Sequence, residues 1–392
     1  MDVLLNEEER MIVESAREFL EGECSTDLVR AIETDPSGYS KDLWQKCVDM
    51  GWPGLSLPEA YGGQDLPLTY LGLIIQEVGR ALAPVPLLTC TVSAHVLARH
   101  GSEALCQSVI PKVIDGSSIM TFAVQEADPR LCADAIKCQA TQDGDEFVLN
   151  GEKCFVDNVP CSDLLLVACR TAAKSANNEG ISLFVVDAKA PGVHYTPLTT
   201  LAKDAHGKVR FDNVRVPASR LVGQVNEAWP AVQEMLDLGA VLLSLQILGA
   251  TRMDAEMAIE YSKYREAFGQ PIGAFQSIQH TCADMIIWID GGELLSYEAL
   301  WKIDNKMTAW VEVSQAKAFV SEKCQAVVRN SQSIHGGIGF MMEFDLHLWL
   351  RRVNAWSMRL GTSYEHRARI AGALLDLPGQ VRLGEDITAL AD

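Results

Sequence analysis

Apolar residues recur at helical intervals through the first part of the chain, up to about Ser118. Residues 71–82 and 92–100 show this spacing, and residues 51–63, rich in Pro and Gly, form a predicted ordered loop between helices. An amphipathic helix is predicted over residues 7–20, where one stripe carries Met11, Ile12, Ala16, Phe19 and Leu20. The pattern predicts a helical N-terminal domain over residues 1–118.

The pattern changes to short β-type runs after Ser118. Asn150-Gly151 stands between two of these runs and is a two-residue hairpin signal. So many short strands within roughly 100 residues predict a compact β-barrel or sandwich over residues 119–224. The runs occupy residues 120–124, 147–149, 154–156, 164–168, 181–186 and 208–211.

Helical spacing returns from about Val225 and continues to the end of the chain. Residues 225–392 are therefore predicted to form a C-terminal four-helix bundle. The fold class is mainly α with a central β domain. The four long elements are predicted near residues 229–266, 278–305, 309–333 and 345–375.

Composition narrows the class of protein. Of the 392 residues, 48% are hydrophobic and 22% charged, as in ordinary globular proteins. A formal net charge of −19 argues against nucleic acid or an anionic membrane as partner. The acidic N-terminus lacks a signal-peptide profile, and no apolar run approaches 18 residues free of charge. The eleven scattered cysteines have no metal-site spacing and suit a reducing compartment, so we predict a cytoplasmic protein without a metal.

Two glycine-bearing segments, residues 264–280 and 335–340, interrupt the C-terminal helical region. Glycine lets a backbone approach a ligand closely, and N–H groups near helix starts, together with Arg265, would suit a diphosphate. Either segment alone is equally consistent with a helix-capping turn. Together they resemble the flavin-binding signatures of the acyl-CoA dehydrogenase family. Residues 51–63 and 211–217 resemble two further signatures of that family.

The resemblance implies a fold of helices, a β domain and a four-helix unit, and an enzyme that converts an acyl-CoA thioester to the 2,3-enoyl-CoA. A carboxylate takes the α proton, and the N5 atom of FAD takes a hydride from the β carbon. In this family each flavin lies between two subunits, because the neighbour's C-terminal domain holds the diphosphate. An electron-transferring flavoprotein would be the acceptor.

The diphosphate half of such a site is well retained in this chain. By resemblance, Arg265 would pair with the diphosphate, Gln276 would hydrogen-bond the cofactor, and Ser333 stands where the family commonly has Gln. The other residues expected at the cofactor are the aromatic Phe268 and Phe275 and the glycines Gly336 and Gly337.

The half that would hold the flavin ring is altered. The family's Thr-Glu-Pro-Gly-Ala-Gly-Ser-Asp-like loop is replaced by residues 125–133, which lack its hydroxyls and glycines. Phe155 can still stack on the ring, and Thr362 is also expected at the cofactor. Asp157 places a carboxylate where the family has a neutral hydroxyl, and its negative charge would oppose an anionic reduced flavin.

The catalytic base is missing from both of its usual positions. By resemblance the base would stand at Leu360 or at Gly239, and neither residue can take a proton. The arginine that often follows the second position is Ala240. Fallback bases are Glu234, Asp237 and Glu365, although helix geometry turns Glu234 and Asp237 away from the vacant position.

Three interpretations remain open. The chain is the base-lacking subunit of a heteromer of the α2β2 type, as in relatives that act on bulky steroid-derived acyl-CoA substrates in lipid catabolism, and it completes the FAD site of a Glu-bearing second subunit. Alternatively, it is a self-sufficient homo-oligomeric dehydrogenase with a displaced base. The third possibility is a relative without dehydrogenase chemistry, either monooxygenase-like or a scaffold.

Overall fold

The computed structural model describes residues 4–172 and 179–376, which fall into two compact units. Unit 1 comprises the described residues of segments 1–29, 67–83 and 240–392, and unit 2 comprises those of segments 30–66 and 84–239. The described residues contain eleven α-helices: α1 Glu7–Glu23, α2 Thr26–Ile32, α3 Lys41–Asp49, α4 Leu68–Arg80, α5 Leu87–His100, α6 Glu103–Ile114, α7 Trp229–Tyr264, α8 Gln276–Asp304, α9 Trp310–His335, α10 Leu346–Trp356 and α11 Ser363–Asp376.

Unit 1 is helical. α1 begins with a capping box, in which Asn6 accepts a hydrogen bond from the backbone of Glu9 while the Glu9 side chain accepts one from the backbone of Asn6. α8, α9, α10, α11 and the part of α7 that follows Gly239 form the C-terminal bundle. α7 is the one described helix that is long and apolar enough to cross a membrane, and 78% of its most apolar window is buried within the protein.

Unit 2 is built around a mixed sheet. Its strands are β1 Met120–Ala123, β2 Gln139–Asp143, β3 Glu146–Asp157, β4 Leu164–Arg170, β5 Ile181–Asp187, β6 Val193–Pro197, β7 His206–Pro217 and β8 Leu221–Val222. The order is β6-β7-β3-β2-β4-β5-β8, with β1 parallel to β4. Leu149, Phe184 and Phe211 lie in its core. The predicted order of helices, then a β domain, then helices is confirmed.

The hairpin predicted at Asn150-Gly151 is wrong. β3 runs through these residues, and its register against β7 shifts there, which is a β-bulge. Asn150 stabilises the bulge because its side-chain oxygen accepts a hydrogen bond from the backbone of Asn213 at 2.8 Å. The turn lies earlier, at Gly144-Asp145, where β2 and β3 meet.

The single long element predicted over residues 345–375 is also wrong, because the structure divides it into α10 and α11. The connecting segment contains Leu360 and Gly361, both with positive φ, at 52° and 96°. A helix cannot continue through two residues in this conformation. The position expected for the base therefore lies in a loop between two helices.

Candidate functional site

A short hairpin joins α7 to α8 in unit 1. β9 (Glu266–Ala267) and β10 (Gln270–Pro271) are connected by Phe268 and Gly269, which both have positive φ, as two-residue hairpin turns require. The turn leaves the Phe268 side chain 96% exposed, with its ring edge-on to Phe275 at 6.1 Å. Gln276 is the first residue of α8.

Arg265 stands at the base of this hairpin as an exposed cation. Its main chain is fixed at both ends, because its N–H donates to Tyr261 and its carbonyl accepts from Ile272. Within the described residues its guanidinium has no ion-pair partner. An exposed, uncommitted guanidinium on a fixed backbone suits a phosphate group.

The second glycine segment follows α9. Gly336 has a φ of +62°, and a Cβ added at Gly336 or Gly337 would meet nothing within 4 Å. The backbone there is open to an approaching group. Ser333 is exposed, but its hydroxyl donates to the carbonyl of Arg329 in its own helix at 3.0 Å.

A stacked aromatic pair joins the two segments. The ring of Tyr261, four residues before Arg265, lies 4.5 Å from the ring of His335, immediately before Gly336. His335 Nδ1 lies 2.9 Å from the carbonyl oxygen of Ser331, so this nitrogen carries the proton. Burial lowers the pKa of His335, which favours the neutral ring. Sequence reasoning missed this pair, which brings the two predicted cofactor segments together.

A buried ion pair anchors the altered loop of unit 2. Glu126 accepts from Lys153 Nζ at 2.7 Å and from the backbone N–H groups of Lys137 and Cys138. Lys153 is fully buried and also donates to the carbonyl of Val124. The loop keeps this anchor although its hydroxyls and glycines are replaced.

The tip of the same loop carries an exposed ion pair. Arg130 donates to both carboxylate oxygens of Asp128. These hydrogen bonds lower the pKa of Asp128 to about 2, so this carboxylate stays charged. The loop therefore presents opposite charges, where the resemblance implies neutral hydroxyls.

Phe155 and Asp157 lie at the end of β3. Phe155 has a φ of +53° and is 53% exposed. The expected opposing charge at Asp157 is not isolated, because Asp157 Oδ1 lies 2.9 Å from Nδ1 of the buried His206. The two residues face each other across β3 and β7, and Asp204 lies 3.6 Å from the same nitrogen. Sequence reasoning missed His206 because the contact depends on strand register.

The loop that holds Leu360 is fixed by two buried side chains of unit 1. Lys317 Nζ donates to the carbonyls of Ser357 and Gly361, each at 3.2 Å, and His366 Nε2 lies 2.9 Å from the carbonyl of Leu360. Burial lowers the pKa of Lys317 to about 7. The loop geometry is thus maintained without a carboxylate at its tip.

Glu234 and Glu365, two of the fallback carboxylates, are held by identified hydrogen-bond partners. Glu234 is bound by Arg99 at 2.6 Å and by His100 at 2.8 Å. Burial alone would raise its pKa, but the hydrogen bond from His100 and the charge of Arg99 lower it overall, which makes Glu234 a weaker base. Glu365 caps α11 by accepting from the backbone and hydroxyl of Thr362.

The remaining positions lie on α7. Gly239 and Ala240 are buried in this helix, and neither carries a proton acceptor. Asp237 is half-buried and has an interaction partner.

Models of one protein family match successive parts of the chain from residue 6 to residue 375. The acyl-CoA dehydrogenase N-terminal, middle and C-terminal domain models match residues 6–117, 121–214 and 226–375. The caffeyl-CoA reductase–Etf complex subunit CarC of Acetobacterium woodii is 28% identical, over 94% of this chain and 99% of its own length.

Two solved structures give the same result. A variant of the steroid ACAD Tcur3481–Tcur3483 is 30% identical with a TM-score of 0.85, covering 94% of this chain and 98% of its own. The ChsE4–ChsE5 complex of Mycobacterium tuberculosis is 25% identical with a TM-score of 0.88, covering 97% of this chain and 100% of its own. The chain therefore belongs to the acyl-CoA dehydrogenase family, a family of FAD-dependent oxidoreductases.

Proposed function

We propose that this chain is one subunit of a heteromeric acyl-CoA dehydrogenase and completes the FAD site of a second, Glu-bearing family chain. The observation that carries the proposal is the contrast between the two halves of the site. The diphosphate segments keep an exposed cation and open glycine backbone, whereas Leu360 and Gly239 leave both base positions without a proton acceptor.

The residues of unit 1 fit the diphosphate and adenine end of FAD. Arg265 would pair with the diphosphate, Phe268 and Phe275 would pack on the cofactor, and Gln276 would hydrogen-bond it. Bound FAD would supply the acceptor for the hydride that leaves the β carbon of the thioester. The Tyr261–His335 stack would hold both segments in place for that contact.

The exposed apolar surface of these segments supports a partner subunit. Phe268 is 96% exposed, Phe340 72%, Met341 52% and Met342 53%, and all four belong to the two segments or follow them directly. Large apolar side chains exposed to water in these two segments are typical of a surface that another chain or a ligand covers.

Two relatives support the proposed heteromer and the proposed electron acceptor. The ChsE4–ChsE5 structure is a complex of two differently named chains, and CarC is a subunit of a reductase–Etf complex. By the same analogy we infer that an electron-transferring flavoprotein accepts the electrons. The similarity to a steroid ACAD favours a bulky acyl group.

The test is to purify the chain alone and together with a Glu-bearing family chain, and to record the visible spectrum and the mass in solution. We expect a colourless chain alone and a yellow heterotetramer with one flavin per pair of chains. Arg265→Gln should remove most of the flavin from the complex, whereas Lys263→Gln, an exposed cation two residues earlier, should not. A yellow homo-oligomer that oxidises an acyl-CoA by itself would overturn the proposal.

One observation favours a self-sufficient homo-oligomeric dehydrogenase as the second candidate. Because His206 contacts Asp157, the carboxylate at the ring position is not an isolated negative charge. The same spectrum decides between the two candidates, since only the self-sufficient enzyme holds one flavin per chain.

A further inference from the structure

Cys138 and Cys169 bring two thiols into contact in the core of unit 2. Their Sγ atoms lie 3.8 Å apart, and the two residues are 1% and 0% exposed. Cys138 immediately precedes β2, and Cys169 lies in β4. Both are free cysteines, and neither belongs to the segments expected at the cofactor. The pair therefore has no part in the site described above.

The strand register allows a disulfide between these residues. Gln139 pairs with Arg170 in the parallel β2–β4 ladder, and the N–H of Arg170 donates to the carbonyl of Cys138 at 2.7 Å. Each cysteine lies one residue before this pair, on neighbouring strands whose spacing is about 4.8 Å. A disulfide requires a Cα separation of about 4.4–6.8 Å, so the backbone already meets this condition. The Sγ atoms have to close from 3.8 Å to about 2.05 Å, which side-chain rotation can supply.

Cys138 is the more reactive thiol of the pair. The hydrogen bond from Cys169 and the positive charge of Lys153 lower the pKa of Cys138, although burial and Glu126 oppose them. Lys153 is held close, because its Nζ and the backbone N–H of Cys138 donate to the same Glu126 oxygen, at 2.7 and 3.0 Å. Burial raises the pKa of Cys169, so this thiol keeps its proton. Since the thiolate is the nucleophile in thiol oxidation, Cys138 is the attacking residue.

We propose that Cys138 and Cys169 form a modification site, at which hydrogen peroxide converts the two thiols into a disulfide. The Cys138 thiolate attacks one peroxide oxygen, the O–O bond breaks, and hydroxide leaves while Cys138 becomes a sulfenic acid. The Cys169 sulfur then attacks the sulfenic sulfur, which forms the S–S bond and releases the second oxygen with the Cys169 proton as water. The proton that Cys138 gave up neutralises the hydroxide, so both thiols are oxidised and the peroxide is reduced to water.

The disulfide would fasten the segment that joins the altered loop to β2. The Arg170 side chain already donates to the carbonyls of Ala133 and Ile136 in this segment. A covalent bond from Cys138 to β4 would add to these contacts and limit how far the end of the loop separates from the strand. Burial excludes bulky reagents from the thiols, whereas a peroxide of nearly the size of water enters during local opening of the sheet.

The experiment treats the full chain, in the assembly that it forms in solution, with hydrogen peroxide. The protein is then unfolded, the thiols that react with iodoacetamide are counted, and peptide mass mapping locates the cross-link. We expect the count to fall by two from eleven, with the peptides of Cys138 and Cys169 joined. Dithiothreitol should restore all eleven thiols, because a disulfide is reversible.

The variants separate the two roles. Cys138→Ala and Cys169→Ala should each abolish the cross-link, but only Cys169→Ala should accumulate a sulfenic acid that dimedone labels. Cys106→Ala is the matched control, because Cys106 is also 0% exposed in unit 2 and its thiol donates to the carbonyl of Leu97. It should keep the cross-link.

Retention of all eleven thiols after peroxide, or a cross-link that survives in Cys138→Ala, would overturn the inference. If an alanine variant fails to fold, the thiol count and peptide map of the wild type decide the result. The proposed function is decided separately by the flavin spectrum and the mass in solution.

Discussion

Asp254 should make the stability of unit 1 fall as pH rises. It lies on α7 with 0% of its surface exposed, and neither carboxyl oxygen accepts a hydrogen bond within the described residues. Burial raises its pKa well above 3.8, and the nearby Ser331 hydroxyl offsets only part of this effect. The folded protein therefore holds a proton on Asp254 under conditions in which the unfolded chain has released it.

The sign and size of the effect follow from this proton. The stabilisation is fully present below the unfolded pKa, near pH 4, and is lost as the pH rises toward the folded pKa. In this window one proton leaves on unfolding, so the free energy of unfolding falls by about 1.4 kcal/mol for each pH unit. Asp254→Asn has no titratable carboxyl and should lack this slope.

The assay is urea unfolding of the wild type and Asp254→Asn at several pH values between about 5 and 7. The variant should gain stability over the wild type as the pH rises, by at most about 1.4 kcal/mol for each pH unit. Asp284→Asn removes a carboxylate on the exposed side of α8 and should show no such gain. A difference between wild type and Asp254→Asn that stays constant over this range would refute the reasoning.

Three further predictions concern the altered site. Lys153→Met leaves the buried Glu126 without its cation and should cost about 3–5 kcal/mol, seen as a large fall in melting temperature; Lys153→Met with Glu126→Gln should recover part of it. Glu234→Gln should leave turnover of the assembled enzyme within about twofold, because this carboxylate binds Arg99 and His100; a loss of about 100-fold or more would identify it as the base. Leu360→Glu, purified without a partner chain, should have no dehydrogenase activity, because residues 125–133 of the loop expected at the flavin ring are also altered. Turnover by this variant would favour the self-sufficient homo-oligomeric dehydrogenase.

Periodicity predicted most of the fold, because the long helices are set by local spacing. The predicted limits of the first helix, 7–20, and of the α8 helix, 278–305, lie within three residues of Glu7–Glu23 and Gln276–Asp304. The pattern failed at Asn150-Gly151, where the bulge is stabilised by Asn213, a residue distant in sequence. Local spacing carries no information about such a contact.

The candidate site was less predictable because buried charged side chains hold its loops in place. Lys153 and Lys317 are fully buried, although lysine in a sequence ordinarily indicates surface. The pairing of Asp157 with His206 depends on the register of β3 and β7, which the sequence pattern leaves open. The resemblance predicts which segments contact the cofactor, while the contacts that hold these segments together required the structure.

The contacts that shape the loop around Leu360 do not depend on which side chain stands at the position expected for the base. Its main-chain carbonyls are bound by Lys317 and His366, and neither contact involves the side chain at the base position. A substitution of Glu by Leu at this position therefore removes the proton acceptor without removing the contacts that shape the loop. Leu360 has a φ of +52°, an unfavourable conformation for a leucine, so the loop keeps its course against the preference of this residue. The absence of a carboxylate at this position is thus compatible with a chain that still folds as its relatives do, and the proposed role as the non-catalytic half of a heteromer requires this combination.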